Sequence, residues 1–189
     1  MILVLRENIL GNCYSFALDI SISMNKSFQE LIPSKLDVAK EALAAAVSRL
    51  ARKGAYIGLV FFAGRAFPVL NLTNNYNIFY TILSRRIRTF EASAPGDAII
   101  EASKLFWGTR CKERKIIMIT DGDYNEGVPP EAAVLYPINN KYNIYLIILN
   151  IKGHDKIGEL LNKYNNIKIY YTKSRNEVLS AILSIIGET

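Results

Sequence analysis

The chain has 189 residues, half of them hydrophobic and 21% charged, which fits one packed domain and excludes a disordered, collagen-like or disulfide-stapled chain. Lysine and arginine outnumber aspartate and glutamate to give a formal charge of +6, which permits an acidic protein, a membrane surface or nucleic acid as partner and selects none of them. A lone histidine, His154, and two cysteines, Cys13 and Cys111, exclude a two-histidine active site, a zinc cluster and a secreted disulfide framework.

No uncharged apolar run reaches the roughly 18 residues that cross a bilayer; the longest, from Asn8 past Phe16, is broken by Asp19. The opening Met1 to Leu5 stretch runs into Arg6 and Glu7 without a basic n-region, so it does not read as a signal peptide. A single domain over residues 1–189 and a cytoplasmic location are the resulting expectations.

Taken in order, Cys13 to Asp19 is a compact apolar segment that reads as a buried strand delivering the loop Asp-Ile-Ser-Ile-Ser-Met. After Pro33 and Ser34, the residues Leu36, Ala39, Leu43, Ala46, Val47 and Leu50 recur at three- and four-residue steps, the spacing of an amphipathic helix that Gly54 ends. Tyr56 to Phe62 is nearly continuously apolar, as expected of a strand covered on both faces. Ala66 to Leu70 reads as a short antiparallel return strand, with Pro68 marking a sheet edge.

Asn74 and Asn75 offer caps for a helix through Ile78, Ile82 and Ile87, and Pro95-Gly96-Asp97 precedes a helix beginning at Ala98. Lys115 to Asp121 is a third apolar strand that ends in a polar loop. A helix near Glu131 to Asn139, a strand at Tyr145 to Leu149, a helix near Asp155 to Lys163, a strand at Ile167 to Tyr171 and a helix from Asn176 to Ile186 complete the pattern. The alternation predicts an α/β, three-layer, Rossmann-like doubly wound fold: a mostly parallel six-stranded sheet with one antiparallel edge strand and helices on both faces. Ligands of such sheets bind beyond the C-terminal strand ends, where Asp19, Ser21, Ser23 and Asp121 fall.

Asp19, Ser21 and Ser23 are spaced by two, so their oxygens can converge on a hard cation, and Asp121 followed by Gly122 supplies a second carboxylate on a tight turn. Two carboxylates with serine hydroxyls suit magnesium or manganese better than zinc. The alternative is that Asp19 and the serines only satisfy a turn or cap a helix.

These segments, Asp19-Ile-Ser-Ile-Ser-Met, the Leu36 to Leu50 helix, Gly58 to Phe62, Leu72-Thr73-Asn74 and Ile119-Thr120-Asp121-Gly122, resemble in their order the von Willebrand factor type A (vWA) domain over about Tyr14 to Ile186. The resemblance implies a metal-ion-dependent adhesion site, with Asp19, Ser21 and Ser23 as its D-x-S-x-S loop and Asp121 as the aspartate of its T-D-G motif. The family's threonine position falls at Asp97, which could ligate directly or could serve as the cap of the following helix. Ile22 stands where the family commonly has glycine and presents an apolar side chain beside the loop. In this family Cys13 and Cys111 would lie near the starts of neighbouring strands, at the end opposite the metal loops, either as a disulfide or as two buried thiols.

Arg85, Arg86 and Arg88, and Lys112, Arg114 and Lys115, are the basic runs. With Tyr76, Phe79, Tyr80, Tyr170 and Tyr171 they could form a nucleic-acid surface, although a solvated basic face and packed aromatics explain the same residues. His154 reads as a surface residue, and the sequons at Asn25 and Asn71 carry no meaning without secretion.

The resemblance therefore implies a non-enzymatic module that binds an acidic group of a protein partner through Mg2+ or Mn2+, in a multiprotein assembly such as those built on ring-forming ATPases of the MoxR or chelatase kind. The alternatives are a structural scaffold or nucleic-acid-associated domain with a degenerate metal site, and a magnesium-dependent phosphohydrolase using Asp19 or Asp121. The last lacks an evident phosphate-binding lysine and any G-x-x-x-x-G-K loop. The many isoleucines, lysines and tyrosines suit a thermophilic archaeon or one of its viruses.

Overall fold

The computed structural model describes residues 9–27, 33–150 and 155–187; His154 lies outside them. Six strands, β1 (Cys13–Asp19), β2 (Tyr56–Phe62), β3 (Ala66–Thr73), β4 (Arg114–Thr120), β5 (Asn143–Leu149) and β6 (Ile167–Thr172), form one sheet in the order β3-β2-β1-β4-β5-β6. Every pairing is parallel except that of β2 with β3. Pro68 sits on the edge strand β3, beside the register shifts around Leu59 and Val60, where a missing N–H breaks no ladder on the outer side.

All seven residues of β1 are buried because helices cover both faces. On one face α1 (Lys35–Ala51), α2 (Tyr76–Ser84) and α7 (Arg175–Gly187) meet Phe16, Leu18, Leu59, Phe61, Ile117 and Ile119. On the other, α3 (Pro95–Lys104), α4 (Pro130–Ala133), α5 (Leu135–Asn139) and α6 (Lys156–Leu161) lie over the alternate residues Ala17, Val60, Phe62, Ile116 and Met118. The period-two alternation thus divides the strands between two cores, each fully buried Val, Leu, Ile, Phe or Met side chain contributing roughly 1.5–3 kcal/mol.

The entry of α1 is held by a capping box: Ser34 Oγ accepts the Asp37 N–H at 3.1 Å, and the Asp37 carboxylate accepts the Ser34 N–H at 3.2 Å. Behind α1 the chain turns at Gly54, whose φ of 64° favours glycine. Across the helical layer Arg175 of α7 donates to Glu41 of α1, with Nε 2.7 Å from Oε2.

Three local expectations are corrected. Helix α2 stops at Ser84, because Arg85 is extended and the chain returns to the first strand's loop: Phe90 N–H donates to Ile20 O at 3.0 Å and Ile22 N–H to Phe90 O at 2.9 Å. Ile87 is therefore outside the helix. The helix start is organised by Thr73, whose Oγ1 accepts the Asn75 N–H at 3.0 Å, and neither Asn74 nor Asn75 caps it through a side chain. Helix α3 begins at Pro95 rather than Ala98, with Pro's fixed φ suited to the first turn.

The two cysteines are joined. Cys13 opens β1 and Cys111 precedes β4, its hydrogen-bonded neighbour, with their Cα atoms 5.8 Å apart, within the normal span of a disulfide.

Candidate functional site

Because β1 and β4 are adjacent and parallel, their C-terminal ends bring Asp19 and Asp121 to one rim of the sheet. The Asp19 side chain is completely buried and its two oxygens are committed separately. Oδ1 accepts the Ser21 N–H at 2.8 Å, while Oδ2 accepts the Thr120 hydroxyl at 2.7 Å and the Ser93 hydroxyl at 3.3 Å. Burial pushes its carboxyl up to about 6, with a further push from the Asp121 charge, against the hydrogen bonds from Ser21 and Thr120 that favour the ionised form.

The first loop turns through a 3-10 helix, Ile22–Asn25, which brings Ser21 Oγ and Ser23 Oγ to 3.0 Å from each other. Ile22, at the position noted as a departure, is 48% exposed on this loop. Asp121 is nearly buried, with Oδ2 2.9 Å from the ammonium of Lys35, the first residue of α1. Its other oxygen, Oδ1, is buried without a hydrogen-bond partner. Gly122 follows with φ of 91°, and a Cβ there would collide with Asp155, whose carboxylate caps α6 at the Gly158 N–H. Only glycine fits both the turn and the approach.

Asp97 lies elsewhere. It stands in the first turn of α3, where its Oδ1 accepts the Val128 N–H at 2.8 Å and so ties the 127–128 turn to the helix. Gly96 permits this contact, since a Cβ at that position would strike the Val128 carbonyl. The hydroxyl that reaches Asp19 from this loop belongs to Ser93, two residues before Pro95. Asn125 Oδ1 accepts the Ser93 N–H at 2.8 Å, which fixes that hydroxyl's position.

Asp19, Ser21, Ser23 and Asp121 therefore share one rim, and Asp97 faces a different turn. Sequence reasoning missed Ser93, Thr120 and Lys35 as parts of the site. Thr120 was visible as the residue before Asp121, and Ser93 as the nearest hydroxyl ahead of the α3 proline. Lys35 carried no signal, because its role depends on how α1 meets the β4 end. Among the described residues no three His, Cys, Asp or Glu side chains group as a metal site; the oxygens gathered here are two carboxylates and several hydroxyls.

Residues 14–123 match the family model of the von Willebrand factor type A domain. The chain belongs to this family.

Several solved structures share the vWA fold. An aerotolerance-related membrane protein from Bacteroides fragilis NCTC 9343, solved with multiple mutations to serine, is 24% identical, with 94% of this chain and 99% of that one covered at a TM-score of 0.73. BatB from Bacteroides thetaiotaomicron is 22% identical, covering 94% and 99% of the two chains at a TM-score of 0.76. The PilB minor pilin of Streptococcus sanguinis is 14% identical, covering 96% of this chain and 62% of the pilin at a TM-score of 0.80. At these identities the likeness concerns the fold alone. No curated protein sequence matches the chain.

vWA domains are typically non-catalytic adhesion modules. Among the described residues no helix is long and apolar enough to cross a membrane.

Proposed function

We propose that this vWA domain is a divalent-cation-dependent protein-binding module whose rim, Asp19, Ser21, Ser23 and Asp121, holds Mg2+ or Mn2+ and captures an acidic side chain of a partner. The observation that carries the reading is Asp121 Oδ1, a buried carboxylate oxygen without a hydrogen-bond partner beside a rim that already gathers Asp19 and two converging serine hydroxyls. A buried acceptor left unsatisfied is costly, and a hydrated cation or its water is the natural complement. The donor set, oxygen only, fits a hard cation.

Bound there, such a cation would supply a Lewis-acidic position for one carboxylate oxygen of the partner. The chain's own groups do the rest. Ser21 and Ser23 offer neutral oxygens, which leaves the rim less negative than a ring of carboxylates and receptive to an incoming anion. Thr120, Ser93 and the Ser21 amide fix the Asp19 carboxylate, and Lys35 offsets the charge of Asp121. In this reading Asp97 holds the 127–128 turn and is not a ligand.

Calorimetric titration of Mg2+ and Mn2+ into chelator-treated protein tests the reading, beside a Ser21→Ala/Ser23→Ala variant. Binding in the parent and a loss of at least about tenfold in the variant support it. No heat and no cation-dependent shift in melting in the parent would overturn it.

A further inference from the structure

The segment that leaves α2 returns past the first helix and borders an open cleft of about 580 Å3. One wall is the start of α1, with Leu36, Asp37 and Lys40; the other is the extended stretch carrying Arg86, Ile87 and Arg88. Leu36 and Ile87 contribute apolar surface, and the three cations Lys40, Arg86 and Arg88 dominate the charge. Among the described residues the single carboxylate of the lining, Asp37, is already occupied by the Ser34 N–H and hydroxyl, the latter at 2.7 Å from Oδ2.

The cleft is built rather than incidental. Lys40 Nζ reaches across it to the Arg85 carbonyl at 3.3 Å, and Asn25 Nδ2 donates to Thr89 Oγ1 at 2.8 Å, which fastens the arginine wall to the 3-10 turn that carries Ser23. Arg88 lies 5.8 Å from the centre of the Phe90 ring, which limits its freedom before any ligand arrives. Arg86 and Arg88 are exposed, and neither has a carboxylate partner among the described residues.

We infer that this cleft binds an acidic peptide segment of a protein partner, with Lys40, Arg86 and Arg88 receiving its carboxylates and Leu36 and Ile87 packing its backbone and apolar carbons. Guanidinium groups engage carboxylates in a two-pronged geometry, and a cleft lined by charges of one sign concentrates ligands of the other. A surface for single-stranded nucleic acid pairs such charges with aromatic faces on which bases stack, and the exposed ring beside these charges, Phe90, already meets the Arg88 guanidinium. Here Tyr76 and Tyr80 are engaged in packing against the fold, their hydroxyls donating to the carbonyls of Ala55 and Ala44 at 2.8 and 3.4 Å. The cleft adjoins the proposed cation rim, so one acidic partner could span both, but it is defined by its own residues and the two can fail separately.

The probe is an eight-residue peptide of alternating glutamate and glycine carrying an uncharged dye, followed by fluorescence anisotropy in low salt, with its glutamine counterpart and a labelled oligothymidine as comparisons. Three proteins are compared, all shown to fold by thermal melting: the parent, Arg86→Gln/Arg88→Gln, and Arg49→Gln/Arg52→Gln, which removes the same charge at the far end of α1. The glutamate peptide should bind the parent in the presence of chelator, weaken with added salt, and bind the Arg86/Arg88 variant about tenfold or more weakly, with the Arg49/Arg52 variant near the parent. Equal weakening in both variants would reduce the effect to net charge and overturn the inference. Oligothymidine binding tighter than the peptide would reassign the cleft to nucleic acid and also overturn it. Peptide binding that requires Mg2+, is lost in Ser21→Ala/Ser23→Ala and ignores Arg86 and Arg88 would leave the cation rim standing and the cleft refuted.

Discussion

Lys35 Nζ stands 2.9 Å from Asp121 Oδ2, so the first residue of α1 supplies a positive charge at the end of β4, where the family resemblance looks for a metal. The pair is largely enclosed, with the Asp121 side chain only 3% exposed, and removing the ammonium would leave a carboxylate in poor contact with water. Lys35→Met should therefore destabilise the chelator-treated protein by about 1–3 kcal/mol in urea unfolding, since a nearly buried charge loses its partner. Added Mg2+ should recover much of that loss. An unchanged urea midpoint in chelator would show that the pair contributes nothing.

Asp19 makes the protein without cation sensitive to pH in a stated direction. The folded carboxyl titrates near 6, against an ordinary value of 3.8. Between these values the folded state holds the proton more tightly than the unfolded state, so this group's contribution is fully present below about pH 3.8 and lost as pH rises through about 6. Its size is on the order of 3 kcal/mol by linkage. Urea unfolding in chelator at steps from pH 4.5 to 7.5 should show the parent losing stability relative to Asp19→Asn as pH rises. Parallel profiles for the two proteins would contradict the raised titration.

The bond from the Val128 amide to Asp97 Oδ1, 2.8 Å long, assigns that carboxylate a structural task. Asp97→Ala should cost about 1–2 kcal/mol and speed amide exchange at Val128. Cation affinity should change by less than about threefold, a difference worth under about 1 kcal/mol. A tenfold loss of Mn2+ binding in this variant would instead make Asp97 a ligand.

Cys13 and Cys111 close a loop of sequence separation 98. The loop-entropy model assigns such a closure several kcal/mol, commonly about 2–5. Reduction under otherwise native conditions, or Cys13→Ala/Cys111→Ala, should lower stability by an amount in that range, read from urea midpoints with and without reductant. Coincident curves would mean that the closed form brings no constraint to the unfolded chain.

Much of the fold was legible along the chain because its signals are local. The mostly apolar runs Cys13 to Leu18, Tyr56 to Phe62 and Ile116 to Ile119 identify strands covered on both faces, and the period of Leu36, Ala39, Leu43 and Leu50 identifies α1. Pro68 marked the edge strand for the same reason, a missing donor that an inner strand could not tolerate. The rim carboxylates followed, since strand ends in a parallel sheet share one side.

Sequence by itself thus determined the alternation of elements, the edge position of β3 and the placement of Asp19, Ser21, Ser23 and Asp121 at the C-terminal strand ends, all set by periodicity and topology. Only the tertiary structure decided that Ser93 rather than Asp97 meets Asp19, that Lys35 meets Asp121, that α2 stops short of Ile87, and that Cys13 and Cys111 are joined. Each of these depends on where separate segments come to lie against one another. A side chain one turn further along a helix points to a different neighbour, and no local pattern records the distance between residues that meet only after the sheet has closed its two cores.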